Sequence, residues 1–313
     1  MIDAGELADS HLIVKRSRAS LAGFPPISVG TKPVDNGHYI FDADERGAFI
    51  AREPRAAEIL RPFVGGQEYI NGRQRWLLHV SDESPATLRS LPAVMERIGA
   101  VRRYREKEAG RLGRSLADRP TAYHVSVLPD APFLAIPEVS SERRTYVPIG
   151  WLEPPCIPSN QLLVVRDAGL WLFGLLASKM HMAWLRHVGG RLKSDYRYSS
   201  GLVYNTFPLP SKDTDLSRLE PLAQAVLAAR AAHPGTTLAD LYDPDLMPPN
   251  LRRAHGSLDR AVDWLYRPAG FASERERVEH LFMRYEALSA PLGAQANAKH
   301  KRTERRKPKG NIG

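Results

Sequence analysis

Apolar positions along the 313-residue chain predict short strands in its first two thirds and helices in its last third. Between residues 121 and 166, runs rich in β-branched residues are interrupted by prolines, which favours short, twisted strands with exposed edges. The stretch VGGQEYINGRQRWLLHV predicts a hairpin with Asn71-Gly72 at its bend. Spaced apolar residues from Ala48 to Phe63 indicate a helix, with Pro54 at a position where a helix could begin.

Four further helical regions follow from the 3.6-residue period. Pro92 to Leu116 is expected to be one charged helix whose basic residues, Arg105 among them, face solvent or phosphate. The strongest signal, AGLWLFGLLASKMHMAWLRHV from residue 168, predicts a core helix with one apolar face. Residues 216–232 and 257–290 also have helical spacing, and Ser273 with Glu276 predicts a capping box for a last helix through Leu288.

These patterns predict an α+β fold, in which a domain of mixed short strands and packed helices is followed by a small all-α domain. We expect a loosely held lead-in at residues 1–20, the mixed domain at 21–211 and the helical domain at 212–290. Residues 291–313 are expected to form a disordered basic tail, since Lys299 to Lys309 holds seven Lys or Arg.

Composition narrows the class of protein. The excess of 44 Lys and Arg over 35 Asp and Glu gives a net charge of +9, which favours a polyanionic partner. The single cysteine, Cys156, excludes an intrachain disulfide and a cysteine-rich zinc module. No apolar run reaches the roughly 20 residues of a membrane span, and the N-terminus carries acidic residues where a signal peptide would be basic. We therefore expect a cytoplasmic protein that does not bind membranes.

The stretch GGRLKSDYRYSSGLVYNTFPLP at residues 189–210 combines arginine and lysine with aspartate and tyrosine. Basic side chains bind phosphate and the acceptor edge of guanine, a carboxylate accepts from cytosine, and tyrosines pack on sugars or bases. The mixture suits nucleic acid. The alternative is a solvated, charged strand with its tyrosines turned towards the core.

Catalytic signatures are missing from the sequence. It has no glycine-rich cofactor turn, no phosphate-binding loop, no G-x-S-x-G elbow and no H-E-x-x-H pair. Glu153-Pro154-Pro155-Cys156 and Met247-Pro248-Pro249-Asn250 resemble the amine-holding loop of amino-methylating enzymes only superficially. We expect no catalytic residue, no bound metal and no cofactor in this chain, which points to a reader of nucleic acid.

Several segments together resemble the C-terminal half of the MmeI-like DNA methyltransferases in type IIL restriction-modification enzymes. They are GQEYINGRQRW, FLAIPEVSSERRTYVPIGWL, the stretch from LFGLLASKMHMAWLRHV through VYNTFPLP, and LYDPDLMPPNLRRAHGSLDRAVDWLY. The resemblance runs from about Leu21 to Leu288 and implies a target-recognition domain followed by a small helical domain.

The resemblance also implies partners and a cofactor elsewhere. In that family one polypeptide additionally carries an endonuclease domain and an adenine-N6 methyltransferase domain that uses S-adenosylmethionine. This sequence lacks both, so we expect a split or truncated chain that recognises double-stranded DNA for a separately encoded methyltransferase or endonuclease. The DNA is expected in a basic cleft between the recognition domain and the helical domain.

The family's base-reading positions can be placed where its motifs match. Lys193 and Asp195 resemble the reader of the base pair beside the target adenine, and their chemistry fits a G·C pair. Their spacing puts both on one face if the segment is extended. Glu138 and Asn160, with Gln161 beside it, resemble a second reader; the alternative for Glu138 is a salt bridge to Arg143 or Arg144. The expected phosphate contacts are Arg191, Arg197, Lys179, Arg186, Arg143 and Arg144.

Three other functions remain open from the sequence. The chain could dock on a methyltransferase, which an exposed apolar patch around residues 21–41 would favour. It could bind RNA or single strands, with Tyr196, Tyr198 and Tyr204 as stacking platforms. It could also be an inert remnant of a broken gene.

Overall fold

The computed structural model describes residues 13–211 and 213–304, with side chains described as far as Ala290. The strands are β1 Ile27–Val29, β2 Ile40–Phe41, β3 Leu60–Val64, β4 Trp76–Leu78, β5 Phe133–Pro137, β6 Val139–Ser140, β7 Gly150–Leu152, β8 Ile157–Pro158, β9 Leu162–Val165, β10 Gly190–Leu192 and β11 Asp195–Arg197. The α-helices are α1 Ala43–Arg52, α2 Gly66–Asn71, α3 Pro85–Arg89, α4 Pro92–Lys107, α5 Arg111–Arg114, α6 Leu170–Leu176, α7 Lys179–Val188, α8 Glu220–Ala231, α9 Leu238–Leu241, α10 Pro249–Tyr266 and α11 Glu274–Glu304.

The strands form three small sheets. In the first, the order is β1-β9-β5-β7, and its central strand β5 is buried along its whole length. The second has the order β2-β4-β3-β8, with β3 and β8 parallel. The third contains β10, β11 and β6 in that order. Short strands and packed helices, followed by helices alone after residue 211, confirm the predicted α+β class.

Two main apolar cores hold these elements together. One lies under the second sheet and includes Phe41, Phe63 and Leu77. The larger one joins α6 and α7 to α8, α10 and α11, so the strand-rich part and the helical part share a core. Gly174 permits a close approach of α6 to α8 and α10, because a Cβ there would lie 3.3 Å from side-chain carbons of both Ala223 and Leu258. Buried side chains pack where these helices meet.

The structure corrects the predicted elements between residues 43 and 80 and the strand predicted at residues 121–128. Asp42 and Glu45 form a capping box, so α1 begins earlier than expected and ends before Pro54. The predicted hairpin at Asn71-Gly72 is wrong: Asn71 ends helix α2, and Gly72 adopts a left-handed conformation (φ 66°) that terminates it. Residues 121–128 form an isolated bridge, Lys32 to Val125, where a full strand was expected.

Arg105 does not face solvent. Helix α4 ends at Lys107, and the side chain of Arg105 is fully buried beside this end. Its guanidinium donates hydrogen bonds of 2.8–3.1 Å to five backbone carbonyls, those of Pro33, Val34, Leu116, Arg119 and Ala122. The cation therefore ties α4 to two loops.

The predicted long core helix is two helices with a shared apolar face. Ser178 interrupts it, because its Oγ accepts a hydrogen bond from the backbone N–H of His181 and caps α7. Phe173, Leu176, Met180 and Trp184 are all buried, which confirms the predicted face.

The chain termini also differ from expectation. Residues of the predicted loose lead-in are bound to the fold: the Ser17 N–H donates to the Gly201 carbonyl, and the Lys15 N–H donates to the Tyr285 hydroxyl. Helix α11 continues past Leu288 to Glu304, so the first part of the expected disordered tail is helical. Residues 1–12 and 305–313 lie outside the described part of the chain. In that described part, no helix has the length and apolar character needed to cross a membrane.

Candidate nucleic-acid interface

The stretch that carries the predicted readers Lys193 and Asp195 folds as the hairpin β10–β11, which pairs with β6 in a three-stranded sheet that we call the reading sheet. Strands β10 and β11 are antiparallel, with Leu192 opposite Asp195 and Arg191 opposite Tyr196. Lys193 and Ser194 form the turn between them, and Lys193 has a left-handed backbone (φ 57°). The Arg191 guanidinium braces this turn by donating to the Ser194 carbonyl at 2.8 Å.

The two faces of the reading sheet have opposite character. Tyr196 and Ser140 are buried on the inner face, and the Arg191 guanidinium covers the Tyr196 ring at 4.0 Å. Alternation along β11 therefore turns Asp195 and Arg197 to the outer face, together with Leu192. Tyr198 and Tyr204 are buried as well, so none of the three tyrosines is a stacking platform and the single-strand prediction is wrong on this point.

Contrary to what the spacing predicted, Lys193 and Asp195 do not lie on one face of an extended segment. The segment is not extended through Lys193, since this residue lies in the turn at the exposed end of the hairpin. Asp195 follows at the start of β11, half-buried, and its Oδ1 accepts a hydrogen bond from the backbone N–H of Glu142 at 3.3 Å. The turn places an ammonium and an oriented carboxylate at the same end of the sheet.

Glu138, which belongs to the second predicted reader, is hydrogen-bonded both to the reading sheet and to Gln161. Its N–H donates to the Gln161 carbonyl at 3.0 Å, and its own carbonyl accepts from the Tyr198 N–H at 2.7 Å. Its Oε1 accepts from both Nε and Nη2 of Arg197, at 3.2 and 3.0 Å. The predicted salt bridge of Glu138 therefore forms with Arg197, and not with Arg143 or Arg144.

Asn160 and Gln161 lie in the connection between β8 and β9, beside Glu138. The Asn160 N–H donates to the Thr31 carbonyl at 2.9 Å, and the Gln161 N–H donates to the Ser159 hydroxyl at 3.3 Å. Asn160 is half-buried and Gln161 is exposed. The structure thus brings all five predicted base readers to the reading sheet or its immediate neighbour.

Most of the predicted phosphate contacts have acidic partners within the chain. Arg143 pairs with Asp245 at 2.6 Å, Lys179 with Asp259 at 3.7 Å, and Arg186 with Glu274. Burial lowers the pKa of Arg144, while the charges of Asp195 and Asp243 act in the opposite direction. These pairs connect the reading sheet and α7 to the helical part. Their acidic partners are distant in sequence, so no local pattern indicated them.

The two Pro-Pro segments do not fit the role of holding an amine against a methyl donor. Pro154 and Pro155 are exposed on one wall of a cavity of about 370 Å³, and no Phe, Tyr or Trp side chain lines that cavity. The Cys156 thiol on the same wall is buried, which raises its pKa to about 12 and keeps it protonated. Asn250 is engaged in helix packing, with its Oδ1 2.9 Å from Nε2 of His233. Within the described residues, no group of three or more His, Cys, Asp or Glu is arranged to hold a metal.

Comparison with known families tests the resemblance that the sequence motifs indicated. Residues 8–211 match the family model described as MmeI, target recognition domain. Residues 211–293 match the model described as MmeI, C-terminal domain. The chain belongs to the MmeI family. The resemblance seen in the sequence motifs is thereby confirmed.

Two relatives of this MmeI-family chain show how much of a longer protein it corresponds to. DNA methyltransferase A of Bacillus subtilis (strain 168) is 36% identical over 285 residues, which are 90% of this chain and 32% of that protein. The type IIL restriction-modification enzyme MmeI, solved in complex with DNA, is 38% identical with a TM-score of 0.86, over 90% of this chain and 38% of that one. The chain spans about a third of the length of each.

Proposed function

We propose that this chain recognises a specific sequence in duplex DNA and supplies that specificity to an adenine-N6 methyltransferase of a restriction-modification system. One observation carries the proposal. The reading sheet carries a lysine in its hairpin turn, an aspartate at the start of β11 and a glutamate bonded to Arg197, within a fold similar to that of MmeI, which was solved in complex with DNA. An ammonium donates to guanine and carboxylates accept from cytosine in the major groove.

In this proposal the reading sheet enters the major groove with the hairpin turn leading. Lys193, at the exposed tip, donates to O6 or N7 of a guanine. Asp195, whose Oδ1 is held by the Glu142 N–H, accepts from N4 of the paired cytosine through its remaining oxygen. Glu138 would read a second pair with Oε2, because its bonds to Arg197 both end on Oε1. Asn160 and Gln161 would supply amide groups beside it.

The proposed cations position the duplex without reading it. Arg191 and Arg197 lie on the reading sheet, Lys179 and Arg186 lie on α7, and Arg143 and Arg144 follow β6. Phosphates would compete with acidic partners for several of them. Methyl transfer would use S-adenosylmethionine, which we place in a methyltransferase domain outside the described residues, on a separately encoded chain or otherwise. We place the assembly in the cytoplasm, where it would reach DNA.

Selection of bound duplexes from a random-sequence library tests the proposal. We expect enrichment of a motif that includes one G·C pair set by Lys193 and Asp195. The double variant Lys193→Glu with Asp195→Arg should change that pair while leaving non-specific affinity nearly intact. The matched control Lys107→Glu with Glu106→Arg, on exposed positions of α4, should leave the motif unchanged. A selection that enriches no motif, or a uniform loss of binding in the reader variant, would reject the base-reading role.

The structure weakens two of the competing functions. The docking alternative expects an apolar surface around residues 21–41, yet Phe24, Tyr39 and Phe41 are buried there. Val29 is 41% exposed, which is a single side chain and not a patch. The single-strand alternative loses its tyrosine platforms to the core. Competition between duplex and single-stranded oligonucleotides of the same sequence distinguishes duplex binding from single-strand binding.

A further inference from the structure

Leu192 is a large apolar side chain on the outer face of the reading sheet. It is 51% exposed, lies between Arg191 and Lys193, and is placed directly opposite Asp195 across the hairpin. Directly opposed residues of antiparallel strands carry their side chains on the same face, with Cβ atoms about 4.5–5.5 Å apart. Any base edge that Asp195 reaches therefore lies close to Leu192.

The position of this leucine is fixed by its surroundings. Both strands of the hairpin are paired in register, and β11 is paired in turn with β6. The turn that follows Leu192 is braced by the bond from Arg191 to Ser194. The reading sheet thus holds one apolar group at a set distance from a charged one, which is the arrangement that a specific contact requires.

We propose that Leu192 reads the C5-methyl group of a thymine in a base pair next to the one read by Lys193 and Asp195; this inference rests on the proposed function. In the major groove, base edges present hydrogen-bonding atoms and one apolar group, the thymine methyl. Successive base pairs are separated by about 3.4 Å along each strand, so two side chains about 4.5–5.5 Å apart at their Cβ atoms can reach the edges of adjacent pairs. The hairpin would therefore read two adjacent pairs by different chemistry.

Replacement of thymine by deoxyuridine in the selected duplex tests this inference. The exchange removes the methyl group and keeps every hydrogen-bonding atom and the backbone. At one thymine beside the pair set by Lys193 and Asp195, we expect binding to the full chain to weaken roughly fourfold, which corresponds to one methyl group buried. Leu192→Ala should bind the two duplexes equally.

A matched control distinguishes this contact from a general loss of apolar surface. Met283 on α11 is 57% exposed, and Met283→Ala should keep the fourfold preference for thymine. Because Leu192 is exposed, its replacement should leave the unfolding midpoint unchanged, which thermal unfolding verifies.

The possible failures can be told apart. A library that yields no motif rejects the proposed function and this inference with it. A motif that has no thymine beside the pair set by Lys193 and Asp195 rejects the inference alone. The same holds if wild type binds the thymine and deoxyuridine duplexes equally, or if Leu192→Ala retains the preference for thymine.

Discussion

The Tyr146 hydroxyl donates a 2.7 Å hydrogen bond to Oδ2 of Asp259, and both residues are buried. Tyr146 follows the loop that carries Arg143 and Arg144, whereas Asp259 lies on α10 of the helical part. The other oxygen of Asp259 accepts from the Lys179 N–H at 2.8 Å, at the start of α7. One carboxylate thus connects the loop beside the reading sheet, the core helix and the C-terminal helices.

This connection predicts that Tyr146→Phe destabilises the whole chain and not one part of it. Burial raises the pKa of Asp259, and the bond from Tyr146 is among the contacts that counteract this. Loss of a donor to a buried charged group costs about 1.5–3 kcal/mol. Urea unfolding followed by tryptophan fluorescence should show one transition at lower urea. Tyr104→Phe, at a partly exposed site on α4, should change the free energy of unfolding by much less.

A second prediction concerns the buried guanidinium of Arg105. Lysine keeps the charge but cannot reproduce five donors arranged to meet carbonyls from two loops. Unsatisfied buried carbonyls and a buried ammonium should lower the free energy of unfolding by about 3 kcal/mol or more in Arg105→Lys. Arg103→Lys, on the exposed side of the same helix, should stay within about 0.5 kcal/mol of wild type in the same denaturant titration. Equal stability of the two variants would contradict the role of Arg105.

The sequence pattern predicted the elements in which local signals and tertiary contacts agree. The apolar face from Phe173 to Trp184 is an example, because periodicity alone determines which side of a helix is buried. Arg105 shows the limit: its type and position on a charged helix indicate solvent, and only the distant carbonyls of Pro33 and Val34 explain its burial. The hairpin predicted at Asn71-Gly72 was wrong for a related reason, since an Asn-Gly pair can either form a hairpin turn or end a helix, as it does here.

The candidate site was predictable in composition and not in detail. The motif around Lys193 supplied the candidate residues, but whether they lie in a strand or a turn depends on pairing of β11 with β6, more than 50 residues earlier in the chain. The partner of Glu138 likewise follows from that pairing, which places Arg197 opposite Val139. Leu192 gave no signal in the sequence, because an isolated leucine in a strand is ordinarily a core residue.

A third prediction follows from two buried histidines. Desolvation lowers the pKa of both His181 and His255 to about 3, and each has Nε2 2.8 Å from a tyrosine hydroxyl. In the unfolded chain they titrate near 6.5, so the unfolded state binds more protons between pH 6.5 and 3. Stability is therefore full above pH 6.5 and falls as the pH is lowered, by up to about 1.4 kcal/mol per pH unit for each histidine.

Urea titrations at pH 6.5, 6.0, 5.5 and 5.0 test this titration before most carboxylates contribute. His181→Gln should reduce the slope of stability against pH, even though the variant is less stable at neutral pH. His124→Gln, at an exposed position, should leave the slope at its wild-type value. A slope that does not change in His181→Gln would mean that the histidine is already charged in the folded protein.

The last prediction concerns the pair of Arg197 and Glu138. Arg197 donates through Nε and Nη2 to Oε1 of Glu138, which holds that carboxylate and leaves Oε2 for the proposed base contact. Arg197→Lys keeps the charge but loses this two-donor geometry. We expect it to retain the salt dependence of DNA binding while reducing discrimination at the base pair assigned to Glu138, a preference worth about 1–3 kcal/mol. Affinities for matched and single-mismatch duplexes at several salt concentrations measure both quantities.

Arg191→Lys is the matched control. Because Arg191 stacks on Tyr196 and not on Glu138, this variant should leave discrimination at the base pair assigned to Glu138 intact. A reduced salt slope with unchanged discrimination in Arg197→Lys would instead make Arg197 a phosphate contact alone.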